Sequence, residues 1–153
     1  MQPAKQTRPL GIKMLMALLV FLAVGGIPTG LALMADPSGQ SVGLPLSLLE
    51  DLPVHDFALV GLWLFSVYGV IPLIVAYGLW TRKRWSWTDS LIGWTHAHWA
   101  WMSAVILGVI LIIWTSFETV LWGPFVLMMI YGALGFAVLC LSLLPSVRRH
   151  LAS

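Results

Sequence analysis

Charge is what this sequence has least of. Of its 153 residues 9% are charged and 59% are hydrophobic, against about 25% charged in a typical soluble domain. A chain of this size cannot fold so much apolar surface away from water, so its solvent is lipid. Cysteine is nearly absent as well: the single Cys140 permits neither an intramolecular disulfide nor a thiolate metal centre. There is no CxxC motif, no glycine-rich phosphate loop and no Ser-His-Asp ordering, which leaves kinase, dehydrogenase and hydrolase chemistry without support. The few basic residues flank apolar runs, so the small positive net charge is not a nucleic-acid footprint.

What is present is four long uncharged stretches. They place membrane spans at about 14–35, 57–81, 92–117 and 121–145, an outer loop at 36–56 and an inner loop at 82–91. Each is long enough to cross roughly 30 Å of hydrocarbon as a helix of about 20 residues. Continuous apolar runs are not the alternating pattern of a barrel strand. The expectation is an all-α, four-transmembrane-helix bundle in a single membrane domain. A signal peptide is the rival reading of the first stretch. Its run is longer than the usual core of about 7–15 residues, and Leu33 and Ala35 make a poor cleavage site, so a retained span is expected.

Basic residues also lack one whole side of this arrangement. Lys5, Arg8, Lys13, Arg82, Lys83, Arg84, Arg148 and Arg149 fall together if the helices alternate, and Asp36, Glu50, Asp51, Asp56 and Glu118 fall opposite. Positive residues stay inside, which predicts cytoplasmic termini in an inner membrane. Asp36-Pro37-Ser38-Gly39 carries the residue preferences of a type I turn. Pro45 can open a short amphipathic segment on the outer face, with Leu46, Leu48, Leu49 and Leu52 dipping into lipid, and Asp56 can cap the second span. Trp80, Trp85, Trp87 and Trp94 suit an inner interfacial belt, and Trp63, Trp114 and Trp122 an outer one.

At 100° per residue the third span has two faces. Asp89, His96, Ser103, Leu107, Trp114 and Glu118 share one, a polar stripe that should face the bundle. Trp94, His98, Trp101, Val105 and Ile112 share the other, which reads as a lipid face with an aromatic collar and His98 at headgroup level. The i, i+2 spacing of His96 and His98 sets their rings apart, so one metal cannot take both from one helix. His96 reads as a packed histidine, with a ligand or proton site as the sharper alternative. Glu118 reads either as a solvated residue in an outer turn or, if the helix runs one turn further, as an inward carboxylate beside Trp114. Tyr68 and Tyr131 lie at membrane depth, where each hydroxyl needs a partner; Ser66 and Ser103 are candidates. Gly26 and Gly30, and Gly132 with Gly135, permit close helix approach. Pro28 and Pro72 each free a carbonyl. His55-Asp56, near Glu50 and Asp51, is a weak outer cation site at most, since helix capping already accounts for Asp56.

Asp36-Pro37-Ser38-Gly39, followed by Gly43-Leu44-Pro45 and Leu48-Leu49, resembles a family of small uncharacterised four-helix bacterial membrane proteins. In these a first span ends in such a turn and an outer amphipathic segment follows. The ending Leu144-Pro145-Ser146-Val147-Arg148-Arg149 is similar to theirs, as is Trp114 with Glu118. The shape is also loosely like the DoxX group, without a matching functional motif. His96-Ala97-His98 departs from the family pattern. Neither resemblance implies an activity.

Three functions follow as expectations. The first is a non-catalytic accessory subunit or a bundle binding a small apolar ligand. The second is a haem- or pigment-associated subunit using His96 or His98. The third is a small enzyme or proton-coupled transporter working through Asp89, His96 and Glu118. Membrane lipid is the expected partner, with a membrane protein or a second copy of the chain as further ones; no nucleic acid is expected, and no cofactor is required by the residues.

Overall fold

The computed structural model describes residues 8–83 and 98–152. Among these the chain is helical, with no strand, and four helices are long and apolar enough to cross a membrane. The first, α1 (Leu10–Ala35), starts directly after Pro9. Its inward face repeats every three or four residues through Ile12, Leu15, Leu19, Leu22, Gly26, Gly30 and Leu33, the period of one helix stripe. The second, α2 (Ala58–Thr81), opens where the Asp56 carboxylate accepts the Ala58 N–H at 2.9 Å. It closes on Arg82, whose φ of 51° is the left-handed conformation usually left to glycine.

Helix α3 (Trp99–Trp122) and helix α4 (Val126–Leu143) form the second hairpin, turned at Gly123, φ 80°. A short amphipathic helix, α5 (Pro145–Ala152), then folds back under the bundle. Its Val147 and Leu151 are buried, Val147 against Gly11 at the start of α1. The four long helices form a ring in which α1 touches α2 and α4, and α3 touches the same two. Each hairpin closes on small residues. A Cβ at Gly26 would lie 2.5 Å from the Tyr68 carbonyl carbon, and one at Gly30 2.5 Å from the Phe65 nitrogen, so α1 and α2 meet backbone to backbone. Gly108 and Gly135 bring α3 and α4 together in the same way.

The loop between α1 and α2 is built as its sequence suggests, with one difference. Gly39 N–H closes the turn on Asp36 O at 3.1 Å. The Asp36 carboxylate accepts from the Ser38 hydroxyl at 2.6 Å and the Ser41 N–H at 2.9 Å. These bonds, the Ser38 hydroxyl first, hold its carboxyl below the usual range. Pro45 precedes a single 3₁₀ turn, Leu46–Leu49. Leu46 is exposed, but Leu49 is not available to lipid: at 4% exposure it packs with Leu33 and Phe57 in a small core of its own. The loop reaches the second hairpin where the Trp122 indole N–H donates to Leu48 O at 2.7 Å. This loop end of the bundle is opposite the terminal end, which carries Arg8, Arg82 and α5.

Candidate functional site

The unusual backbone of the molecule lies in α2. Residues Leu64–Val70 form a π-helical stretch immediately before Pro72. Pro72 has no N–H to donate and its ring crowds the preceding turn, and a wider turn relieves both. Such stretches often occur where a side chain has to be re-aimed. Here the re-aimed residue is Tyr68, 3% exposed, with Gly26 of α1 pressed against its carbonyl.

Around Tyr68 the loop half of the bundle gathers an aromatic and polar cluster. The ring of Tyr68 stacks on Tyr131 of α4 at 6.0 Å and 11°. Trp63, one and a half turns before Tyr68, lies 5.0 Å from Trp114 of α3. The Trp114 indole N–H donates to Glu118 Oε1 at 2.7 Å, an i, i+4 pair within the helix. Gly25 leaves room for the Tyr131 hydroxyl, which sits 2.6 Å from where a Cβ would stand. Glu118 lies in the neighbourhood of both tyrosines. No Lys or Arg occurs between Lys13 and Arg82 or between Arg84 and Arg148, so none comes from these parts of the helices.

Two buried polar atoms in this cluster have no hydrogen-bond partner among the described residues. The Trp63 N–H lies near the Tyr68 hydroxyl, yet neither makes a hydrogen bond of ordinary geometry. Leaving a buried donor without an acceptor costs about 1–3 kcal/mol, and such groups are rare enough in folded proteins to need a reason. One indole N–H, one phenol and one carboxylate, framed by aromatic rings, can satisfy a hydroxyl or carbonyl group at the end of an otherwise apolar molecule.

The residues singled out from sequence divide unevenly. Asp89 and His96 lie outside the described residues. Ser103 is partly buried, but fifteen residues of helix separate it from Glu118, about 22 Å along the axis, so the stripe is not one site. Glu118 falls inside α3 rather than in the turn, because the helix continues to Trp122. Tyr68 and Tyr131 do come together, on each other instead of on Ser66 or Ser103. Trp63 and Trp114, both placed in the outer belt by sequence, are half-buried and pack against each other.

His98 is corrected most. It was expected on a lipid face, and is 4% exposed. The 100° rotation applies only within a helix, and His98 is the residue before one, with an extended ψ of 131°. Its ring folds back so that Nδ1 accepts the Ala100 N–H at 3.2 Å, capping α3, beside the Trp99 ring. Trp101 is likewise not free in lipid: its N–H donates to Ser142 O at 2.7 Å. The buried hydroxyls missed by the stripe, Thr115 and Ser142, bond back to Leu111 O and Val138 O in their own helices; this is local satisfaction with no signal of a site. His55 is exposed, Asp56 is spent on its cap, and no group of three metal-ligating side chains occurs among the described residues.

Comparison with known proteins places the first hairpin. A family model described as a predicted membrane protein (DUF2127) matches residues 12–87, just under half of the chain, and its function is unknown. The match covers α1, the Asp36–Gly39 turn and α2, the part that carries most of the resemblance read from the sequence. No curated protein and no solved structure matches.

Proposed function

We propose that this membrane protein is a non-catalytic bundle that holds a small, mostly apolar molecule by a hydroxyl or carbonyl group in the loop half, between α2, α3 and α4. The observation that carries the reading is the pair of unsatisfied buried groups, Trp63 Nε1 and Tyr68 Oη, beside the Glu118 carboxyl. Trp63 offers only a donor, which an acceptor on the bound molecule would satisfy in better geometry than the Tyr68 hydroxyl does; Glu118 and Tyr68 can accept from a hydroxyl in return. The residues gathered there include no nucleophile paired with a base, which favours binding over catalysis. The one-sided distribution of Lys and Arg supports cytoplasmic termini and an outward-facing loop end in an inner membrane.

The test is native mass spectrometry of the protein purified gently from its own membranes, beside Tyr68→Phe and Glu118→Gln. The expected result is one discrete small molecule retained by the unaltered protein and weakened in both variants, with thermal unfolding of the variants preserved. An unaltered protein that carries bulk phospholipid alone would overturn the reading.

A further inference from the structure

At the terminal end, three elements converge on a cluster with one sign of charge. Arg8, just before α1, lays its guanidinium over the Trp80 ring at 4.2 Å and donates to Trp80 O at 3.1 Å. Arg82, just after α2, reaches His150 O of α5 at 3.5 Å. Both arginines are thus held by neutral carbonyls, and neither makes an ion pair among the described residues. A guanidinium has five N–H donors, so most of each remains to be used. Arg82 is also the only non-glycine residue with positive φ among those described. That conformation is disfavoured for a side chain with a Cβ, and here it delivers the guanidinium to α5. No carboxylate lies at this end among the described residues, whereas Lys13, Lys83, Arg148 and Arg149 add further positive charge.

We infer that Arg8 and Arg82, with the Trp80 ring between lipid and water, form a binding site for the phosphate of an acidic phospholipid. Guanidinium forks match phosphate oxygens in shape as well as charge. A lipid is favoured over free phosphate by the surface that leads away from the site. Leu73, Tyr77 and Trp80 form an exposed stripe down α2, and Leu10 at the start of α1 is 71% exposed, so acyl chains have an apolar wall below the headgroup. The site is separate from the aromatic cluster at the other end of the bundle, and stands or falls independently of it.

The experiment reconstitutes the full chain in detergent with equal phosphatidylglycerol and phosphatidylcholine, and reads the bound-lipid ratio by native mass spectrometry. Phosphatidylglycerol should be retained preferentially. Arg8→Gln and Arg82→Gln should each lower the preference about fivefold, and together roughly thirtyfold. Arg149→Gln, on the exposed side of α5, should leave it unchanged. Arg8 precedes α1, so its variant keeps the test valid if Arg82→Gln fails to fold. An equal loss from Arg149→Gln would mean diffuse attraction and no site. Displacement of the lipid by inorganic phosphate alone would mean that the headgroup source is wrong. Either result overturns the inference.

Discussion

Replacing Gly26 by alanine puts the packing of the first hairpin to a quantitative test. The added Cβ would lie 2.5 Å from the Tyr68 carbonyl carbon, 2.6 Å from its oxygen and 2.8 Å from its Cβ. Carbon contacts are optimal near 3.5–4.0 Å, so α1 and α2 must part by about 1 Å. Two of those atoms are backbone and cannot rotate aside. A gap of about 1 Å forfeits up to half of each dispersion contact it opens, and overpacking of this kind costs about 1–3 kcal/mol; the fixed partner atoms argue for the upper end. Gly132→Ala is the control. There the nearest atom, Thr115 Oγ1, is at 3.4 Å, an ordinary contact, and alanine is the better helix former by up to about 1 kcal/mol. Unfolding of both variants in mixed micelles, monitored by circular dichroism, should show Gly26→Ala destabilised by about 3 kcal/mol and Gly132→Ala between the parent's stability and about 1 kcal/mol above it. A Gly26→Ala protein within about 0.5 kcal/mol of the parent would refute the backbone-to-backbone seam.

Two further predictions concern the ends of the bundle. Trp122→Phe keeps a ring but removes the N–H that holds Leu48 O; the loss of about 1 kcal/mol should appear as faster proteolysis within residues 43–56, and unchanged cleavage would show that the tie is not holding the loop. His150 is held below its ordinary value of 6.5 by burial and by the charges of Arg82 and Arg8. In the unfolded chain it titrates near that ordinary value, so its contribution to stability is intact above it and lost as pH falls towards the folded midpoint. An NMR titration of the imidazole should therefore give a midpoint under 6.5, and one above it would contradict the placement of the two arginines.

Much of this fold can be read directly from residue order. Long uncharged runs have one stable form in lipid, and the Asp36–Gly39 turn and the Asp56 cap depend on neighbours within a few residues. The candidate site is less legible because it depends on neighbours from other helices. Trp63 and Trp114 have the composition of an interfacial belt, and nothing local distinguishes a tryptophan facing lipid from one facing a helix, since both surroundings are apolar. Glu118 moves from turn to helix on a matter of one turn: Thr115 and Thr119 bond back to earlier carbonyls and the helix ends only at Gly123. His98 shows the converse, a residue assigned to a helix face that lies one place before the helix. The π-helical stretch has a visible cause in Pro72, but a proline in a span is as readily absorbed by a kink, and the residues packed around Tyr68, Gly26 and Tyr131, are far from it in sequence.

The glycine seam between α1 and α2 also bears on how the chain is made. A ribosome delivers α1 first and α2 next, and the glycine contacts that join them, at Gly26, Gly30 and Gly61, involve no residue downstream of α2. Its small loop core of Leu33, Leu49 and Phe57 is likewise drawn wholly from the first half. The direction of synthesis and the order in which these contacts become available therefore coincide.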